Sequence, residues 1–228
     1  MHALAQLSLG LHIIAGVSTL LTGPLAIFYN FRDVRRHRLV GKVFVYAMLV
    51  TALTSIGGFL KHPGEVFYQF LMGVGLMVLA GVARAVRAIF LMKGDGVRGF
   101  DWGYTALLAL NGLWMLGMAV WHFQQGSPVA FSVLFAVFGS MCVADTRQNW
   151  KMFSEPQAMH RLNWMRAHAQ TMLGAFTAST TAFTVNAATF LPWWAQWFGP
   201  TLLLLPLQLY FGRKLMTMRE QGRALTAN

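Results

Sequence analysis

Long apolar runs alternate with short polar or basic connections along almost the whole of this chain. A helix that crosses the hydrocarbon layer of a bilayer needs about 20 predominantly apolar residues. Seven runs come close to that length, and each predicts a membrane-spanning helix. The predicted helices are 6–31, 43–61, 66–91, 102–122, 128–146, 168–190 and 196–212. The pattern therefore predicts an all-α, seven-helix transmembrane domain over residues 1–212, followed by a polar, basic tail over 213–228.

The composition agrees with a chain that lipid covers. Hydrophobic residues make up 56% of the 228 positions and charged residues only 11%, whereas about a quarter of an ordinary globular chain is charged. So few charges cannot cover the surface of a soluble domain. The formal net charge of +11 is then better explained by orientation in a membrane and attraction to anionic lipid than by nucleic-acid binding.

The basic residues set the orientation of the predicted helices. Of the 18 lysines and arginines, only Lys61 lies on the side of the second, fourth and sixth connections. All the others lie in or beside the first, third and fifth connections or in the tail. Because cytoplasmic segments are enriched in Lys and Arg, we predict an external N-terminus and a cytoplasmic C-terminus. Seven of the eight tryptophans fall near the predicted interfaces, as aromatic belts do.

A tripeptide recurs before two of the predicted helices. His37-Arg38-Leu39 precedes the second helix and His160-Arg161-Leu162 precedes the sixth, both on the cytoplasmic side. If helices 1–3 correspond to helices 5–7, the fourth helix links two parallel units, an arrangement known among transporters. Chance recurrence of basic flanking sequence is the alternative interpretation.

Polar chemistry inside the predicted membrane region is sparse. All seven carboxylates lie at or beyond the interfaces, and Asp145 is the only one near a helix interior. The sixth predicted helix is the most polar span, and it suggests either close helix packing through interhelical hydrogen bonds or a substrate path lined by hydroxyl groups. The side chains that form this polar face are Thr177, Thr181, Thr184 and Asn186.

Six histidines fall into two groups at matching depths. Residues separated by about 20 helical positions lie about 30 Å apart, the thickness of the hydrocarbon layer. Three histidines lie about 20 residues along their helices from the basic, cytoplasmic boundary, so they are predicted at the outer boundary. Three others are predicted at the inner boundary. The outer group is His12, His62 and His122, and the inner group is His37, His160 and His168.

Two groups of imidazoles on opposite membrane faces suit two haem or metal sites. Imidazole is a common axial ligand of haem iron, and helix bundles supply such ligands from facing helices. For b-type haem we predict an outer pair of His12 with His122. The predicted inner pair is His168 with either His37 or His160.

Other roles for these histidines stay open. The outer group of three is also the candidate set for a metal ion. The inner group, with Asp145 and Ser154 nearby, is compatible with a zinc hydrolase, although the tight spacing of zinc ligands is missing. In the remaining interpretation, the histidines merely anchor helix ends at the interface.

Two short blocks carry a family resemblance. The first contains His12, Gly16 and Gly23-Pro24, followed by His-Arg-Leu-Val-Gly-Lys over 37–42. The second is His-Arg-Leu-Asn-Trp-Met-Arg over 160–166. These blocks resemble the DUF2306-type family of uncharacterised bacterial multi-pass membrane proteins. The resemblance implies a multi-pass bacterial membrane protein and highlights three of the histidines, but it implies no reaction.

Three functions are consistent with the sequence. The first is a b-type haem electron-transfer protein of the bacterial cytoplasmic (inner) membrane, with either a quinone or a redox protein as its partner. The second is a small-solute transporter or channel built on the parallel repeat. The third is a non-catalytic structural or assembly subunit. The sequence leaves the substrate, enzymatic activity and homo-oligomerisation open.

Overall fold

The computed structural model describes the backbone of residues 2–226 and the side chains of residues 6–157 and 159–217. All the secondary structure in that part of the chain is helical, and it contains no strand. The seven long helices are α1 (His2–Asn30), α2 (Val34–Lys61), α3 (Val66–Met92), α4 (Gly99–Gln124), α5 (Val129–Ser154), α6 (Arg161–Ala187) and α7 (Trp193–Thr226). A short 3-10 helix, Pro156–Ala158, lies between α5 and α6. The predicted all-α bundle of seven helices is therefore confirmed.

Several helices extend beyond the apolar runs that predicted them. α2 begins at Val34, earlier than predicted, because Asp33 caps its first turn by accepting hydrogen bonds from the backbone N–H groups of Arg35 and Arg36. α6 likewise begins at Arg161, and α7 continues through the predicted tail. Hydropathy detects the lipid-covered part of a helix, whereas backbone hydrogen bonding continues into the polar flanks.

The apolar surface of the bundle is that of an integral membrane protein. Five helices, α1 to α5, are long and apolar enough to cross a bilayer. Large apolar side chains such as Leu53 and Leu110 point outward, where they are 58% and 66% exposed. α6 is more polar because of its hydroxyl residues, and α7 carries Gln196, Gln208 and two prolines. Membrane spanning by these last two helices stays a prediction.

Consecutive helices run in opposite directions, and α3 lies at the centre of the bundle. It packs against α2, α4, α5 and α6, while α1 packs on α2 and α6, and α7 packs on α6. The α1–α2, α3–α4 and α5–α6 connections therefore share one end, which we call the basic end because it carries the Arg- and Lys-rich segments. α1 packs on the helix that follows it, whereas α5 packs on α4 and α3. The two units of the predicted repeat thus differ in packing.

Two glycines let α4 and α5 approach closely. A Cβ on Gly112 would come within 2.9 Å of the Cβ of Cys142 and 3.2 Å of the carbonyl oxygen of Gly139. A Cβ on Gly139 would in turn lie 3.1 Å from the carbonyl oxygen of Gly112. Small residues at a helix interface allow such backbone contact, which is how membrane helices gain packing energy. Hence the contact has no room for a larger side chain at either position.

We expect Gly112→Ala to destabilise the protein by about 1–3 kcal/mol, because the added methyl group separates α4 from α5. Gly117→Ala is the matched control, since Gly117 lies on the same helix and a Cβ there would meet no atom within 4 Å. Thermal unfolding in mild detergent would compare the two variants. A Gly112→Ala protein as stable as the control would contradict the close contact.

A buried ion pair fixes the turn between α3 and α4. Asp101, in the first turn of α4, is fully buried and accepts hydrogen bonds from Nε and Nη2 of Arg87 at 2.7 and 2.8 Å. The same carboxylate accepts a hydrogen bond from the backbone N–H of Arg98 at 2.8 Å, which caps the helix. Arg87 also donates to Asp95 at 2.6 Å. This bond, with a second from Arg98, holds the pKa of Asp95 below its usual range.

Asp101→Asn should destabilise the protein by about 3 kcal/mol, because it removes the buried charge that balances Arg87. Asp95→Asn should cost less, since Asp95 lies in a partly exposed connection. The depressed pKa of Asp95 means that its contribution is present above its unfolded pKa and is lost as pH falls through the folded value. Melting temperatures of the two variants would test this order, and equal losses would refute it.

Candidate histidine site at the basic end

His37 lies one turn into α2 and faces α1. Its Nδ1 is 2.9 Å from the backbone carbonyl oxygen of Ala26. A carbonyl oxygen can only accept, so Nδ1 carries the proton and donates it. The neutral ring then has an unprotonated Nε2, whose lone pair is available to a ligand or metal. No group in the described part of the chain hydrogen-bonds to that nitrogen.

His168, on α6, repeats this arrangement against α3. Its Nδ1 donates to the backbone carbonyl oxygen of Ala85 at 2.9 Å. The ring is half-buried, and within the described residues its Nε2 also has no hydrogen-bond partner. Metal-binding imidazoles commonly have their second nitrogen held in this way, because that bond fixes the tautomer and the ring plane.

Both rings lie toward the basic end of the bundle. His37 is on α2 and bonds to α1, while His168 is on α6, which packs against both α1 and α3. One turn after His37, a Cβ on Gly41 would meet no atom within 4 Å, so there is open space on that face of α2. We call His37 and His168 the inner histidine site. Together the two rings supply two Nε2 lone pairs from two different helices.

His160 has a different role at the same end. Its Nδ1 accepts a hydrogen bond from the backbone N–H of Leu162 at 3.2 Å, so His160 caps the start of α6. In the neutral ring the proton must then sit on Nε2. Of the two predicted partners for His168, His37 therefore offers the lone pair and His160 does not.

His122, one of the predicted outer ligands, uses both ring nitrogens within the protein. Its Nε2 is 2.8 Å from Oε1 of Gln69, and its Nδ1 is 3.0 Å from the hydroxyl of Ser127. The amide of Gln69 is oriented because its Nε2 donates to the carbonyl oxygen of Pro63. Nε2 of His122 must then donate to Oε1, while Nδ1 accepts from Ser127. This ring offers no lone pair to a metal.

The other outer histidines have partners of their own. Nδ1 of His12 lies 2.7 Å from the hydroxyl of Thr54 on α2, and Nδ1 of His62 lies 2.9 Å from a carboxylate oxygen of Glu65. His12, His62 and His122 thus each bond to a different group. Among the described residues, no three His, Cys, Asp or Glu side chains gather into a metal-binding group. The outer pairing of His12 with His122 stays a prediction that these contacts do not favour.

A buried polar cluster beside the inner histidine site is absent from the sequence-based predictions. Arg84 is only 6% exposed, and its guanidinium donates to the hydroxyl of Thr171 at 2.6 and 3.1 Å. The guanidinium also donates to Asp145 at 3.0 Å and to Asn149 at 3.3 Å. The cluster adjoins His168 because Ala85 directly follows Arg84. An arginine inside an apolar run, at the depth of the one inward-lying aspartate, was the signal available in the sequence.

The polar face of α6 is engaged in local and interhelical hydrogen bonds. Thr177 donates to the carbonyl oxygen of Leu173 and accepts from Gln208 of α7 at 3.1 Å. Thr184 and Asn186 donate to carbonyl oxygens one turn earlier, and Thr181 is buried. These contacts support the packing interpretation of the face over a hydroxyl-lined substrate path.

No family model matches this chain, and neither does any curated protein or solved structure. The resemblance to the DUF2306-type family accordingly stays a prediction.

Proposed function

We propose that this protein is a membrane-bound electron-transfer protein that holds b-type haem between His37 and His168. The observation that carries the proposal is that the two imidazole rings have the same tautomer and the same kind of hydrogen bond. Each imidazole is anchored through Nδ1 to a backbone carbonyl oxygen and leaves its Nε2 lone pair without a partner in the described structure. Paired imidazoles of this kind are the donor set of b-type haem iron.

Two features of the surrounding residues support the proposal. The carbonyl oxygens of Ala26 and Ala85 keep both rings in one tautomer and increase the basicity of Nε2. The open space beside Gly41 lies on the same face of α2 as His37. Bound haem would supply reversible one-electron transfer. The protein itself would supply the two ligands, their orientation and an apolar bundle that limits access of water.

The proposed site lies at the basic end of the bundle. By the enrichment of Lys and Arg in cytoplasmic segments, that end faces the cytoplasm. Together with the DUF2306-type resemblance, this supports a place in a bacterial cytoplasmic membrane. Of the two predicted haem positions, the proposal uses only the inner one. The outer position would require His122, which uses both ring nitrogens within the protein.

Full-length protein purified from haem-supplied cells should show Soret and alpha bands in a reduced-minus-oxidised visible spectrum. We expect His37→Ala and His168→Ala each to lower the bound haem by at least about tenfold, because each removes one iron ligand. The haem content per protein molecule, measured on the same samples, gives the loss in each variant relative to the wild type.

His160→Ala is the matched control, since His160 is an exposed histidine at the same end whose ring caps a helix. It should keep its haem. Thermal unfolding of every variant separates loss of a ligand from loss of the fold. Wild-type protein without these bands, or a His160→Ala variant that loses as much haem as His168→Ala, would overturn the proposal.

A further inference from the structure

A polar pocket lies at the basic end between α5, α6 and α7. Its volume is about 260 Å³. Its lining includes Gln148 and Met152 of α5, Asn163 and Arg166 of α6 and Met216 of α7, together with Met159 from the preceding connection. The pocket thus joins three thioether side chains and two amides with one guanidinium. It is separate from the residues of the inner histidine site.

Among the residues whose side chains are described, Arg166 has no anionic partner, whereas two other arginines do. Arg84 and Arg87 both pair with aspartates at 3.0 Å or less. Within the described residues, the hydrogen-bond acceptor of Arg166 is the sulfur of Met216, 3.4 Å from Nη1, and its Nε is buried without a partner. A thioether is a weak acceptor for a group that has five N–H donors. A buried donor without a protein partner is suited to a ligand that brings its own acceptor.

The charge and shape of the pocket select the class of ligand. Three thioethers alone would suit a soft cation such as Cu(I), but the positive charge of Arg166 opposes a cation there. A guanidinium instead matches the paired oxygens of a phosphate group. Because Arg166 lies only five residues after Arg161, the first residue of α6, the pocket is at the depth of lipid headgroups. Its methionine side chains can contact the apolar part of the same lipid.

We propose that this pocket binds the phosphate group of an anionic phospholipid, with Arg166 as the main recognition residue. Gln148, which is exposed, can add an amide donor beside it. Basic pockets between helices on the cytoplasmic side are known to hold such headgroups. This site does not depend on haem at the inner histidine site.

The test measures retention of phosphatidylglycerol by the purified full-length protein, using native mass spectrometry and lipid-dependent thermal unfolding. Phosphatidylglycerol should raise the melting temperature of the wild type, and phosphatidylcholine should raise it less. Arg166→Gln should weaken phosphatidylglycerol binding by about tenfold, the value of one lost charge-assisted interaction. Arg166→Lys keeps the positive charge but loses the planar guanidinium. Its affinity for phosphatidylglycerol should lie between those of the wild type and Arg166→Gln.

Arg161→Gln is the matched control, because Arg161 is an exposed arginine on the same helix. It should bind phosphatidylglycerol within about twofold of the wild type, as expected for an exposed charge. Equal losses in the Arg161 and Arg166 variants would mean general attraction to a basic surface and would overturn the proposal. Displacement of the lipid by millimolar inorganic phosphate would identify free phosphate as the ligand and would overturn the lipid assignment.

Discussion

Hydrocarbon offers no hydrogen bonds, so every polar group within these helices must find its partner inside the protein or at the membrane surface. Arg84 meets this constraint with bonds to Thr171 and Asp145, and thereby joins α3 to α6 and α5. The position of α6 on α3 depends on that junction. With α6 in this position, Nδ1 of His168 is within hydrogen-bond distance of the carbonyl oxygen of Ala85, the residue next to Arg84. The position of His168 therefore depends on the buried guanidinium of Arg84.

The same constraint distinguishes histidines that the sequence treats alike. An imidazole that donates from Nδ1 to a carbonyl oxygen keeps a lone pair on Nε2, as His37 and His168 do. One that accepts at Nδ1, as His160 and His122 do, has its proton on Nε2. The partner of one ring nitrogen thus decides what the other can bind. Depth in the membrane brings histidines to the same level, but the neighbouring backbone determines their chemistry.

The helices and their order could be predicted from hydropathy because lipid contact imposes a strong compositional signal over about 20 residues. The pairing of Arg84 with Asp145 could not, because it depends on how α3 is rotated against α5 and α6. In a membrane helix both the packed side and the lipid-facing side are apolar. The spacing of apolar residues therefore says little about how the helix is rotated about its own axis. For the same reason the sequence placed His12 and His122 at one depth without revealing that His122 contacts Gln69. The start of α2 was missed because its capping residue, Asp33, precedes the apolar run.

The central claim is that two imidazoles from different helices share one iron, and the electron paramagnetic resonance spectrum of the oxidised, haem-supplied protein tests it most directly. Two imidazole ligands predict a low-spin ferric signal in the wild type. Whatever haem His168→Ala retains should instead give a high-spin signal, because one axial ligand is gone. A high-spin wild-type spectrum, or a low-spin signal unchanged in His168→Ala, would contradict the account.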